Sequence, residues 1–575
     1  MLSERNSLIM ETRNCQNCKN NFTIEPDDFS FYEKMKVPTP TFCPECRMIR
    51  RMIWRNHRSF YRRICLLCSK TLLSVYKDEQ APVMCTECWM GDKWDPHMNQ
   101  RDIDFNIPFL SQINEIFKLQ PRTFQYRGGS IVNCDYANSV FNSKNIYLSF
   151  SLVNSEDISF SENVDNSKNS IDCLYCTEID RCSWNIDCTG NYNCHFMVDS
   201  HKNIDSCFLY DCTNCSNCCL SSNLRNKSYV FKNIQLSKQD YEKAVHDLKL
   251  NTYSGFKMAE KEFNSIKLNS IIKFAKNINS VNATGDHIAN SKDIKKSFDI
   301  GKSENISDTF RVIETKDLKD CCWVLRGESE YETISGTDNS SNEIGCAVCF
   351  TSTRMEYSLF CRGCSDCFGC VGLKNAKYCI LNKQYKKEEY EELVPKIRQQ
   401  MMDLPFVDSN GRVYRYGEFF PYEMSPFGYN ETLAHDYFPK SKEEIINSGF
   451  NWKEPEARDY QITKDESSLE DSIGNTDDSV LNDIIKCPNQ GNYLYQCTSA
   501  FRITKEELLF YKQNNLPIPR YCPNCRHYER LKYRNPMKLY KRSCSNGCGR
   551  EFETTYSPDR PERVYCEQCY QAEVL

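Results

Sequence analysis

Closely spaced cysteine pairs stand at both ends of this chain. Cys15 and Cys18, then Cys43 and Cys46, precede Cys65 and Cys68, then Cys85 and Cys88. Towards the C-terminus come Cys487 and Cys497, Cys522 and Cys525, Cys544 and Cys548, Cys566 and Cys569. A C-x-x-C pair is one jaw of a tetrahedral thiolate cage, so these sixteen positions predict four structural Zn²⁺ sites. Cys487 is the least regular ligand, because nine residues rather than two separate it from Cys497. Histidine ligands are not expected. His57 falls on Pro536 in the copy, and His527 on Met48.

The two ends are copies of each other. A shift of 479 residues carries Cys18, Cys43, Cys46 and Cys65 onto Cys497, Cys522, Cys525 and Cys544. Arg47, Arg51, Arg55 and Asn56 fall on Arg526, Arg530, Arg534 and Asn535. In each copy the second C-x-x-C opens a helix (CPECRMIRRM, CPNCRHYERL), whose positive dipole end suits thiolates. That order of loop, hairpin and helix reads as a treble clef or zinc ribbon.

The same helices carry a second chemistry. From Cys43 to Lys70 seven arginines and one lysine stand against Glu45, interleaved with Trp54, Phe60 and Tyr61. Basic side chains among aromatics are what phosphates and unstacked bases require. Arg51, Arg55, Arg58, Arg530, Arg534 and Lys538 are therefore candidate nucleic-acid contacts, with RNA favoured over DNA. The competing reading spends the arginines on the charge of the cages or on protein contact.

These sites need elements to hold them. The chain has 575 residues, 36 cysteines and 8 histidines. Segments such as NSKNIYLSF, NSEDISFSENV and NSKNSIDCLYC recur every 11 to 13 residues between Asn142 and Asn223. Each pairs a polar turn with a short alternation of apolar and polar residues, which reads as a strand of period 2. Stacked strand–turn units predict a parallel β-solenoid with about 24 residues per coil. YVFKNIQLSKQDYEKAV (229–245) returns as YCILNKQYKKEEYEELV (378–394) at an offset of 149, each ending in a capping helix. The twenty cysteines outside the cages are expected to stack inside as small, reduced, metal-free hydrophobes. The alternative is a further cluster site at Cys361, Cys364, Cys367 and Cys370.

The predicted fold is mainly β: a duplicated parallel β-solenoid with capping helices, flanked by treble-clef modules at both termini. The expected domains are the N-terminal double zinc module (1–120), two solenoid halves with capping helices (121–256 and 257–402), a hairpin and short helix (403–452), an acidic linker (453–484) and the C-terminal double zinc module (485–575). The first fifteen residues lack the apolar core of a secretory signal, and no apolar run reaches the roughly 18 residues of a membrane span, so a cytoplasmic, reducing location is expected.

The C-x-x-C…FYxxxxxPxPxxCPxCRxxR pattern, at 15–51 and again within 497–530, resembles zinc-ribbon domains. With LRNKSYVFKNIQLSKQDYE and SPFGYNETLAHDYFPKSKEE, the whole chain is similar to a group of bacterial proteins that carry zinc modules at both ends of a cysteine-rich β-solenoid. The resemblance implies fold and metal, and no activity. The sequence contains no Walker motif, dinucleotide fingerprint, GxSxG or HExxH. The expectation is a non-catalytic zinc protein that binds RNA or a nucleoprotein as a scaffold. The alternatives are a protein–protein assembly scaffold and a carbohydrate-active solenoid enzyme.

Overall fold

The computed structural model describes residues 10–77, 81–335, 339–454 and 460–575. The chain divides into two compact units, Met1–Gln125 with Ala275–Lys453, and Tyr126–Phe274 with Glu454–Leu575. The pairing is crossed. The first unit joins the N-terminal cysteine module to the second run of repeats, and the second unit joins the first run to the C-terminal module.

Each run of repeats is a ladder of short parallel strands. Ile146, Ile158 and Ser170 are successive register partners, as are Val164, Cys176 and Cys188, so the step is twelve residues. Left-handed backbone recurs at every third residue: Asn142, Asn145, Leu148, Ser151, Asn154, Asp157, Phe160 and Asn163. Twelve residues therefore contain four corners. Between corners one side chain turns inward, giving a buried series of period three: Ile146, Ser149, Leu152, Ser155, Ile158, Ser161, Val164. The expected period of 2 and the 24-residue coil are corrected to a period of three and a twelve-residue step.

Residue chemistry explains the geometry. Asn and Asp enter the left-handed region at lower cost than other side chains and lead the corner positions. They also stack, Asn133 Nδ2 donating to Asn145 Oδ1 (3.0 Å) and Asn145 Nδ2 to Asp157 Oδ1 (2.8 Å). Inside, serine hydroxyls accept backbone N–H groups from the next step, as Ser143 does from Ser155 (3.1 Å) and Ser155 from Ser167 (3.3 Å). The Cys176 thiol donates to the carbonyls of Leu174 (3.4 Å) and Asn185 (3.1 Å). Small side chains with a short donor or acceptor satisfy backbone groups that a narrow interior keeps from water.

The second ladder repeats the first. Strands Glu156–Ser159 and Glu162–Asp165 correspond to Glu304–Ser307 and Phe310–Ile313 at an offset of 148. One thirteen-residue step, Glu328 to Ser341, raises the offset to 149. Strands Ser228–Phe231 and Lys377–Ile380 then match, as do the helices Lys238–Asp247 and Lys387–Asp403 that follow them.

Residues 460–484 correct the expectation of an acidic linker. Leu469, Ile473 and Val480 are buried with Ile485, Phe501 and Leu508 of the C-terminal module. Three apolar side chains pin the segment while its acids face outward, and Asp471 accepts the Ser254 N–H at the start of helix Tyr253–Asn269.

Candidate metal centres and the arginine face

Four groups of four cysteines place their sulfurs within 4.8 Å of one another: Cys15, Cys18, Cys43 and Cys46; Cys65, Cys68, Cys85 and Cys88; Cys487, Cys497, Cys522 and Cys525; Cys544, Cys548, Cys566 and Cys569. One local design builds all four. The third cysteine is the N-cap of a helix: Cys43 for Pro44–Met52, Cys85 for Thr86–Met90, Cys522 for Pro523–Leu531 and Cys566 for Glu567–Val574. Its N–H points at the first cysteine's sulfur, at 3.2, 3.3, 3.4 and 3.3 Å respectively. An N–H donor and a helix N-terminus both favour thiolate. Four sulfurs so arranged fit a tetrahedral metal ion.

Cys487 fits as well as its counterparts. It is fully buried and accepts the Cys522 N–H as Cys15 accepts that of Cys43. Turns through the left-handed Gln490 and Gln496 absorb the longer spacing before Cys497.

The helices that hold the cages also carry the arginines, and these point into the protein. In the first unit, Arg47 Nε lies 2.9 Å from Asp320 Oδ1. Arg51 lies 2.7 Å from Glu332 and 3.4 Å from Asp320. Arg50 bridges Glu332 (2.6 Å) and Glu418 (2.8 Å). Arg55 donates to Ser335 Oγ (2.5 Å), with its guanidinium 5.0 Å from the Trp323 ring centroid. In the second unit, Arg526 contacts Asp172 (3.2 Å) and Glu507 (2.8 Å), and Arg530 contacts Asp172 at 2.5 Å. Arg534 pairs with Asp187 at 3.1 Å, 3.6 Å from the Tyr175 ring centroid. Burial alone would lower the Arg50 guanidinium, but Glu332 and Glu418 outweigh it and raise it above its ordinary value.

Four of the six candidate phosphate contacts are therefore corrected. Arg51, Arg55 and Arg530 are buried and Arg534 is half-buried, and carboxylates, rings or hydroxyls of the ladders occupy them. Spacing by four residues put them on one helix face, but that face is the packed one. Arg58 is half-buried and Lys538 exposed. The receiving residues, Asp172, Asp187, Asp320 and Glu332, are not among the site residues that the cysteine and arginine spacing singles out. The signal was available, since the 148 offset lays Asp172 on Asp320.

Of the twenty other cysteines, seventeen fall on the inward series of the ladders, Cys361, Cys364, Cys367 and Cys370 among them. The Cys367 thiol donates to the Ser365 carbonyl at 3.3 Å. Among the described residues no helix is long and apolar enough to cross a membrane. No protein-family model matches the chain, and no curated protein matches it.

Proposed function

We propose that this chain is a non-catalytic, cytoplasmic zinc protein that serves as an assembly scaffold. Each ladder is read as a β-solenoid, and each pair of cages as a treble-clef module clamped onto the solenoid from the opposite half of the chain. One observation carries the reading: the same clamp occurs twice, with Arg47 and Arg51 on Asp320 and Arg526 and Arg530 on Asp172. Zn²⁺ bound at the cages would supply the centre that fixes the start of each arginine helix. The protein's own residues do the rest, the thiolates orienting the helix and the guanidiniums holding it to the ladder.

The clamps occupy the residues that would have read phosphates, which favours protein partners over nucleic acid. The RNA reading rests on Arg58 and Lys538. Affinity capture from lysate, with and without nuclease, separates the two. Protein partners that survive nuclease support the scaffold. Partners lost with the nucleic acid overturn it.

A further inference from the structure

Because the units are copies, each is a control for the other. In the first unit, lysines stitch helix Pro26–Met35 to its ladder. Lys295 Nζ lies 2.5 Å from Asp27, Lys319 Nζ 2.9 Å from Asp28, and Lys34 Nζ 2.7 Å from Asp317. Shifts of 479 and 148 carry Asp27 and Asp28 to Glu506 and Glu507, but Lys295, Lys319 and Lys34 to Tyr147, Ile171 and Gln513. The second unit keeps the helix acids and lacks all three ammonium groups.

Where those lysines would lie, the second unit has a groove of about 680 Å³ between its ladder and helix Lys505–Gln513. The rings of Tyr136, Tyr147 and Phe510 line it with the carboxylates of Asp135, Asp157 and Glu506. No lysine, arginine or histidine lines it among the described residues. Glu507 turns to Arg526, whereas Glu506 is exposed and enters no ion pair among the described residues. Tyr136 and Tyr147 meet edge-on at 5.5 Å between centroids, and Tyr136 is 46 % exposed.

We propose that this groove binds a linear polyamine of the spermidine class, with one ammonium beside Glu506 in the place that Lys295 takes beside Asp27 in the first unit, and the others facing Asp135 and Asp157. Aromatic faces beside carboxylates attract alkylammonium by cation–π and charge together. Carboxylates at several points along one groove match a ligand with several amines. The volume falls within the ~300–1,000 Å³ of small-molecule sites. This inference is independent of what the scaffold assembles.

The test is calorimetric titration of the zinc-loaded full chain with spermidine at physiological salt. One saturable site per chain is expected. Glu506→Gln and Tyr136→Ala should each weaken it about tenfold, the size of one lost charge or cation–π contact. Tyr147→Lys should abolish it by supplying the ammonium internally, as Lys295 does, without lowering the melting temperature. Should Tyr147→Lys fail to fold, the other two variants decide. Glu388→Gln, an exposed acid in the first unit, should leave the affinity unchanged. Absence of saturation, equal losses in all variants including Glu388→Gln, or a lysine peptide that binds the groove and is not displaced by spermidine would each overturn the proposal.

Discussion

Asp172 and Asp320 occupy the same place in the two units. Each is a fully buried carboxylate at a left-handed corner (φ 55° in both), and each receives two arginines from the helix that opens a cysteine cage. Taking charges out of water costs several kcal/mol per ion, so such a cluster holds only while every member is present.

Asp172→Ala should therefore cost about 3–5 kcal/mol in the second unit by leaving Arg526 and Arg530 short of a counter-charge. Asp320→Ala should do the same in the first. Hydrogen exchange assigns the loss to a unit: Asp172→Ala should expose helix Pro523–Leu531 and leave Pro44–Met52 protected. Equal loosening of both helices would show that the clamps are not separate.

Arg50 gives the clamps different keys. Its counterpart at 479 is Glu529, and the counterpart of Glu332 at 148 is Trp184. Arg50→Glu should push the N-terminal module off Glu332 and Glu418, lowering the first unit's stability by about 3 kcal/mol or more. Glu529→Ala should change stability by under about 1 kcal/mol, since its one ion pair among the described residues, with Lys532, is solvent-exposed. Chemical denaturation of the two variants side by side checks the asymmetry.

Metal removal should act through the same helices. Elemental analysis should find four zinc ions per chain, and Cys487→Ser should remove one, given its buried place in the third cage. A strong chelator should raise amide exchange in helices Pro44–Met52 and Pro523–Leu531 while the far-ultraviolet strand signal of the ladders persists. A preparation with fewer than two zincs would refute the four-cage assignment.

The interior of the second ladder predicts a pH dependence. Glu330 and Glu343 are register partners on the inward series and both are fully buried. Burial pushes the Glu330 carboxyl up from 4.5 to about 7, while burial and then Glu330 hold Glu343 well above its ordinary value. Folded protein thus binds these protons more tightly than unfolded protein. The resulting stability is complete below the unfolded value of 4.5 and drains away as pH rises through about 7. The melting temperature should fall between about pH 5 and about pH 8, and Glu343→Gln should flatten that fall. A variant with the wild-type slope would place the titration elsewhere.

Much of this was legible in the sequence, because cage ligands and duplications are written as spacing. The cysteines of all four groups and the offsets of 479 and 149 follow from counting. The period was not. Over a short window such as NIYLSF, inward Ile146 and Ser149 with ring-bearing Tyr147 and Phe150 between and after them mimic alternation, and only the run of left-handed corners separates three from two. The arginines misled for another reason. Composition shows a charge and not its partner, and Arg51 finds Asp320 across 269 residues of chain.

The crossed pairing imposes an order on synthesis. Residues 126–274 leave the ribosome well before the module that covers them (454–575). Asp172 precedes Arg530 by 358 residues, so at ~5–20 residues per second it waits roughly 20–70 s for that partner. The N-terminal module waits too, with Arg47, Arg50 and Arg51 made long before Asp320 and Glu332. During translation the first half of the chain carries two uncovered surfaces, the arginine helix of its module and the carboxylate face of its ladder, and the second half supplies the cover for both. Polysomes, where neighbouring nascent chains offer the same surfaces in trans, are where this protein is most exposed to misassembly.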